Sequence, residues 1–167
     1  RAKASLLSLG RQGVETLIIS GGEPMLRRDL PRVISTAKTG GKTSVILETN
    51  ATLIGQNHAR LLQRVGLDEA RVHLPGWGEA YDRFTQDPGG FSRMVQGVHH
   101  LLGSGISVSL AIPLHREIQE QLAAIPDNGA ARCGSAISQS YVSWLHTAPD
   151  PDCLVHPSEL TRPLSTR

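Results

Sequence analysis

Val14-Glu15-Thr16-Leu17-Ile18-Ile19-Ser20-Gly21-Gly22-Glu23-Pro24 joins an apolar run to two glycines, an acid and a proline. The run, rich in Ile, Leu and Thr, reads as a strand. Gly21 and Gly22 leave main-chain N–H and C=O groups bare and let a ligand come close. Pro24 stiffens the exit because its ring fixes φ. Glu23 adds a charge at the same mouth. A helix follows, with Asp29 as N-cap, Leu30, Val33, Ile34 and Ala37 as its apolar stripe, and Gly40-Gly41 as its end.

The same alternation continues. Thr43 to Leu47 is a second strand. Leu61, Leu62 and Val65 mark a helix ending at Gly66. Arg71 to Leu74 is a short third strand. Phe91, Met94, Val95, Val98, Leu101 and Leu102 give a helical stripe, stopped by Gly103 and Gly105. Ile106 to Ile112 is a fourth strand, with Ile106, Val108, Leu110 and Ile112 on the side packed under helices. The small residues Ser107, Ser109, Ala111 and Pro113 face the interior and leave room for a ligand. Leu114, Ile118 and Leu122 form a further helix. This spacing predicts βαβ units in a parallel sheet with right-handed crossovers. Residues 1–127 make up that unit. In residues 128–146 the apolar period decays, with Tyr141 to Leu145 as one further strand. Residues 147–167, broken by Pro149, Pro151, Pro157 and Pro163, read as a disordered tail.

Composition narrows the function. At 167 residues with 39% hydrophobic content, the chain suits one domain with a real core. A net charge of +2, from 17 basic and 15 acidic residues, is no footprint for nucleic acid. No apolar stretch is long enough for a membrane span. Two scattered cysteines make no disulfide framework, which points to a reducing cytoplasm. Gly40-Gly41-Lys42-Thr43 resembles the tail of a phosphate-binding loop, but Thr36 stands at the first Gly position and a strand follows. The histidines, His99-His100 included, lack metal-ligand spacing, so no metal site is expected within this chain.

From Val14 to Leu30 the chain resembles the radical S-adenosylmethionine (radical SAM) superfamily. The resemblance continues through Glu48-Thr49-Asn50-Ala51-Thr52-Leu53-Ile54, Gly90-Phe91, Gly97-Val98, Leu101-Leu102 and Gly105-Ile106, to about Asp127. It implies an α/β fold: a partial (β/α)6-type barrel of parallel strands with helices outside and the first strand missing. The backbone of Ser20, Gly21, Gly22, Glu23 and Pro24 then receives the amino group of S-adenosylmethionine. Glu48, Thr49 and Asn50 at the next strand end belong to the implied site, and His73 on the third strand and Ser109 on the fourth join the cofactor-binding candidates by their place on the interior face of their strands. Ala51 replaces a frequent Gly, and Pro75 stands where the family often has a serine hydroxyl. His73, two residues earlier, faces the same side as Pro75. Asp82, behind Tyr81, is expected to cap a helix or hold a loop.

Family members hold a [4Fe–4S] cluster on a Cys-x3-Cys-x2-Cys loop, whereas this chain has only Cys133 and Cys153. The resemblance therefore places the cluster, and an electron donor, in a full-length protein of which this chain is a fragment. The implied reaction is reductive cleavage of S-adenosylmethionine to start radical chemistry on an unknown substrate, a small molecule or a peptide. The isolated chain is expected to be inactive and to bind the cofactor weakly. Two other readings remain open. One is a non-catalytic binding module with the same barrel. The other is an unrelated α/β barrel enzyme using Glu23, Glu48 and His73 as acid/base groups.

Overall fold

A computed structural model describes residues 13–39, 43–113 and 137–143. In chain order the elements are β1 (Thr16–Ile19), α1 (Leu30–Thr39), β2 (Ser44–Thr49), α2 (Gln56–Arg64), β3 (Glu69–His73), α3 (Glu79–Thr85), α4 (Gly90–Gly103), β4 (Ser107–Pro113) and β5 (Ile137–Ser143). A 3-10 turn, Pro24–Leu26, lies between β1 and α1. The strands form one sheet in the order β1-β2-β3-β4-β5, and every neighbouring pair is parallel. Strand order follows chain order without reversal. With right-handed crossovers, such winding keeps the connecting helices on one face, as in a barrel, whereas a doubly wound sheet reverses. The parallel α/β architecture expected from the alternation is present.

Strand limits differ from the sequence reading. β2 runs on to Thr49, β3 starts at Glu69, and β5 occupies Ile137–Ser143 instead of starting at Tyr141. Main-chain pairing with neighbours sets these limits, and the pattern of side chains does not report it. Ile46 pairs with Glu69, so an acidic residue joins a strand by register. The helix read over Leu114 to Leu122, the Gly40-Gly41 stop and the tail 147–167 lie outside the described residues.

Alternation along the strands sorts side chains to two faces. Val45 and Leu47 of β2, Ala70 and Val72 of β3, and Val108, Leu110 and Ile112 of β4 are buried in one core. Ile34 and Ala37 of α1, Ala59 and Leu62 of α2, and Met94, Val98 and Leu101 of α4 join the same core. Each such aliphatic side chain contributes about 1.5–3 kcal/mol on burial. Asp68 ties the start of β2 to α1: it accepts from Val45 N–H at 2.7 Å and from Lys38 Nζ at 2.8 Å. Asp29 holds the N-cap position through its carbonyl, which accepts from Val33 N–H at 3.0 Å. Its carboxylate, expected to cap the helix, pairs with Arg27 Nε and Nη2 at 3.0 and 2.9 Å.

Two details seat α4. Asp82 accepts from Gly89 N–H at 2.7 Å and Phe91 N–H at 2.8 Å, satisfying donors that the helix start leaves open. It caps, as its sequence context suggested. Gly97 lies directly against the loop after β2, where a Cβ would stand 2.1 Å from the Ala51 carbonyl oxygen. Only a glycine lets α4 approach that loop so closely.

Candidate functional site

Parallel strands carry all their carboxyl ends to one rim, and three loops emerge there: Ser20–Pro24 after β1, Asn50–Ala51 after β2 and Leu74–Gly76 after β3. Gly21 and Gly22 have φ of +103° and +27° and are exposed. Nothing lies within 4 Å of where their side chains would be. The turn therefore presents bare backbone to open space, as a ligand needing close main-chain contact requires.

Glu23 does not point into that space. Its Oε1 accepts from Met25 N–H at 2.9 Å and from the Thr49 hydroxyl at 2.8 Å. Its Oε2 accepts from Asn50 N–H at 2.9 Å. The carboxylate thus bolts the first rim loop to the second. Pro24, buried, opens the 3-10 turn that follows. Thr49 is 4% exposed, and its oxygen also accepts from Ala51 N–H at 3.0 Å. Asn50 Oδ1 accepts from the Thr52 amide and hydroxyl at 3.0 and 2.9 Å, a closed Asx turn. The left-handed residue of this turn is Ala51, with φ of +60°.

The inner face of the sheet, opposite the helices, carries the remaining candidates. Glu48 and Arg71 stand side by side, with Arg71 Nη1 donating to Glu48 Oε1 at 3.1 Å. His73 ends β3 on that face. Burial holds its imidazole below the ordinary value, against the opposing charge of Glu48, so it is neutral at pH 7. Ser109 is buried mid-strand, and its hydroxyl donates to Glu69 Oε1. Ser109 is thus two residues deeper than Ala111, the register partner of His73. The sequence reading missed Glu69 and Arg71, whose significance appears only when β3 is placed between β2 and β4. Pro75, within the third loop, is fully buried. Tyr81 packs edge-on to Phe91, and burial pushes its phenol up to about 12.

Among the described residues, no group of three or more His, Cys, Asp or Glu could hold a metal ion. Nor is any helix among them long and apolar enough to cross a membrane. A depression of about 400 Å³ is lined by Glu79, Asp82, Arg83, Gln86 and Pro88.

Fold and rim together define a parallel α/β protein with an open backbone turn at the ends of its strands. The sequence profile of the radical SAM superfamily matches residues 2–125, and the chain belongs to that superfamily. It is 35% identical over 125 residues to Fe-coproporphyrin III synthase of Methanosarcina barkeri, covering 75% of this chain and 31% of that protein. It is 30% identical over 122 residues to pre-heme d1 synthase of Dinoroseobacter shibae, covering 73% of this chain and 30% of the relative. The chain thus spans under a third of either relative's length. In fold it is similar to coproporphyrinogen III oxidase (HemN) from Escherichia coli, described as a radical SAM enzyme. That match has a TM-score of 0.54 and 10% identity, covering 75% of this chain and 34% of the other.

Two groups go with this family, and the residues present fit them differently. The open Gly21–Gly22 backbone fits the amino-acid end of S-adenosylmethionine. A [4Fe–4S] cluster needs closely spaced thiolates. Cys133 and Cys153, twenty positions apart and outside the described residues, do not fit it.

Proposed function

We propose that this chain supplies the S-adenosylmethionine site of a radical SAM protein. The observation that carries this is the Gly21–Gly22 turn, open to solvent and fixed to the Asn50 loop by Glu23. The bare carbonyls of the turn accept from the ammonium of the methionine portion. Glu23 orients them without touching the ligand, because both its oxygens are engaged. Thr49 holds Glu23 and Ala51 in place. Glu48, with one oxygen on Arg71, and neutral His73 line the approach from the inner face as acceptor and hydrogen-bonding group. Ser109 acts from deeper in the same face through Glu69. When bound, S-adenosylmethionine supplies the 5′-deoxyadenosyl group with which the family starts radical chemistry. For the whole protein, the relatives support a substrate of the coproporphyrin or heme class.

The test is a titration of the 15N-labelled chain with S-adenosylmethionine, a method that reads weak binding directly. The amides of Gly21, Gly22 and Asn50 should shift in a saturable way. Spectra in which those amides stay still at millimolar ligand would remove the proposal.

A further inference from the structure

Glu48, Arg71 and Ser109 stand level across β2, β3 and β4, since Glu48 pairs with Arg71 and Arg71 with Ser109 in the register. Glu69 lies one pleat below on β3, and His73 one above. Arg71 Nη1 is 3.1 Å from Glu48 Oε1, and its Nε is 4.0 Å from Glu69 Oε1. Side-chain exposure is 15% for Arg71, 30% for Glu69 and 36% for Glu48.

A barrel interior is ordinarily filled by branched apolar residues. Ion pairs half withdrawn from water stabilise no better than well-packed apolar groups of the same volume. Packing therefore does not account for this row, and its charge does not cancel. Among the described residues, the two carboxylates Glu48 and Glu69 meet a single guanidinium on this face. Ser109 is neutral, and His73 is neutral at pH 7. Among the described residues the excess is negative, and it lies beside the rim where the cofactor is proposed to bind. S-adenosylmethionine carries a permanent sulfonium cation. S-adenosylhomocysteine has the same adenosine and amino-acid ends with a neutral thioether.

We infer that the Glu48–Arg71–Glu69 row is a charge selector favouring the sulfonium ligand over its neutral thioether, with Glu48 and Glu69 determining specificity and Arg71 positioning the Glu48 carboxylate. The inference rests on the S-adenosylmethionine site proposed above. One uncompensated charge near a sulfonium, at an effective dielectric between surface and bulk values, corresponds to roughly a tenfold difference in affinity. Salt weakens it.

The experiment measures dissociation constants of both ligands, in parallel at low salt, for the 167-residue chain and its variants. The native chain should prefer S-adenosylmethionine about tenfold. Glu48→Gln and Glu69→Gln each leave the row without net charge and should bring the two affinities close to equal, mainly by weakening the sulfonium ligand. Glu48→Asp, which keeps the charge, should retain the preference. Dispersed amide spectra confirm that each variant is folded. Equal affinities in the native chain, or a preference unmoved by both Gln variants, would overturn the inference while leaving the binding site standing. If neither ligand shifts the rim amides, the site itself is wrong and the inference falls with it.

Discussion

Gly97 and Thr49 show how single residues hold the rim. A methyl group on Gly97 would meet the Ala51 carbonyl oxygen at 2.1 Å, and neither backbone can yield without moving α4. Gly97→Ala should therefore cost at least about 2 kcal/mol by overpacking, although alanine is the better helix former. The denaturant midpoint measures this, and an unchanged midpoint would show that α4 can slide. Thr49 donates to Glu23 and accepts from Ala51 N–H while nearly fully buried. Thr49→Val keeps the shape, orphans the Ala51 N–H and removes one of the two donors to Glu23 Oε1, so about 1–3 kcal/mol of stability should be lost. Hydrogen exchange at Met25, Asn50 and Ala51 should speed up more than elsewhere, since those amides share the Glu23–Thr49 network.

At the scale of elements, α4 depends on α3 for its start. Its N-cap is Gly89, which has no side chain to cap with, and Asp82 of α3 supplies the acceptors from outside. Asp82→Ala should fray that first turn and lower Tm by a few degrees, with the largest exchange increases at Gly89 and Phe91. Asp82→Asn keeps one acceptor and should sit between the two. A variant with native Tm and native exchange at those amides would mean that the helix caps itself. The donors at Gly89 and Phe91 hold the Asp82 carboxyl below the ordinary carboxylate range. Its contribution is thus present above the unfolded value near pH 4 and is lost as pH falls through the lower folded value.

For the whole molecule, the pH dependence above that range turns on His73. Its folded value is lowered by burial, against an opposing effect of Glu48. Between the ordinary value near 6.5 and the lower folded one, the unfolded chain binds the extra proton and the native chain does not. Stability should therefore fall as pH drops from about 6.5, before the carboxylates matter. His73→Gln should flatten that limb of the curve, and an NMR titration of the imidazole should place its midpoint below 6.5. A midpoint above that value would mean that the Glu48 charge outweighs burial.

The residues by themselves determined the alternation of strands and helices, the parallel sheet, and the glycine turn at Gly21–Gly22, because side-chain period and glycine's backbone freedom are local properties. They also marked Asp82 as a helix cap or a loop anchor, since the turn to α4 lies close by in sequence. Tertiary structure alone decided the partners of each charge. Glu23 reaches Thr49 and Asn50, 26 and 27 positions away. Arg71 meets Glu48 across 23 positions, and Ser109 meets Glu69 across 40. These contacts depend on the register of β2, β3 and β4, and shifting a strand by one residue would turn every one of these side chains to the other face. Register is fixed by the sum of main-chain pairing and core packing across the sheet, and no single stretch of sequence carries that sum.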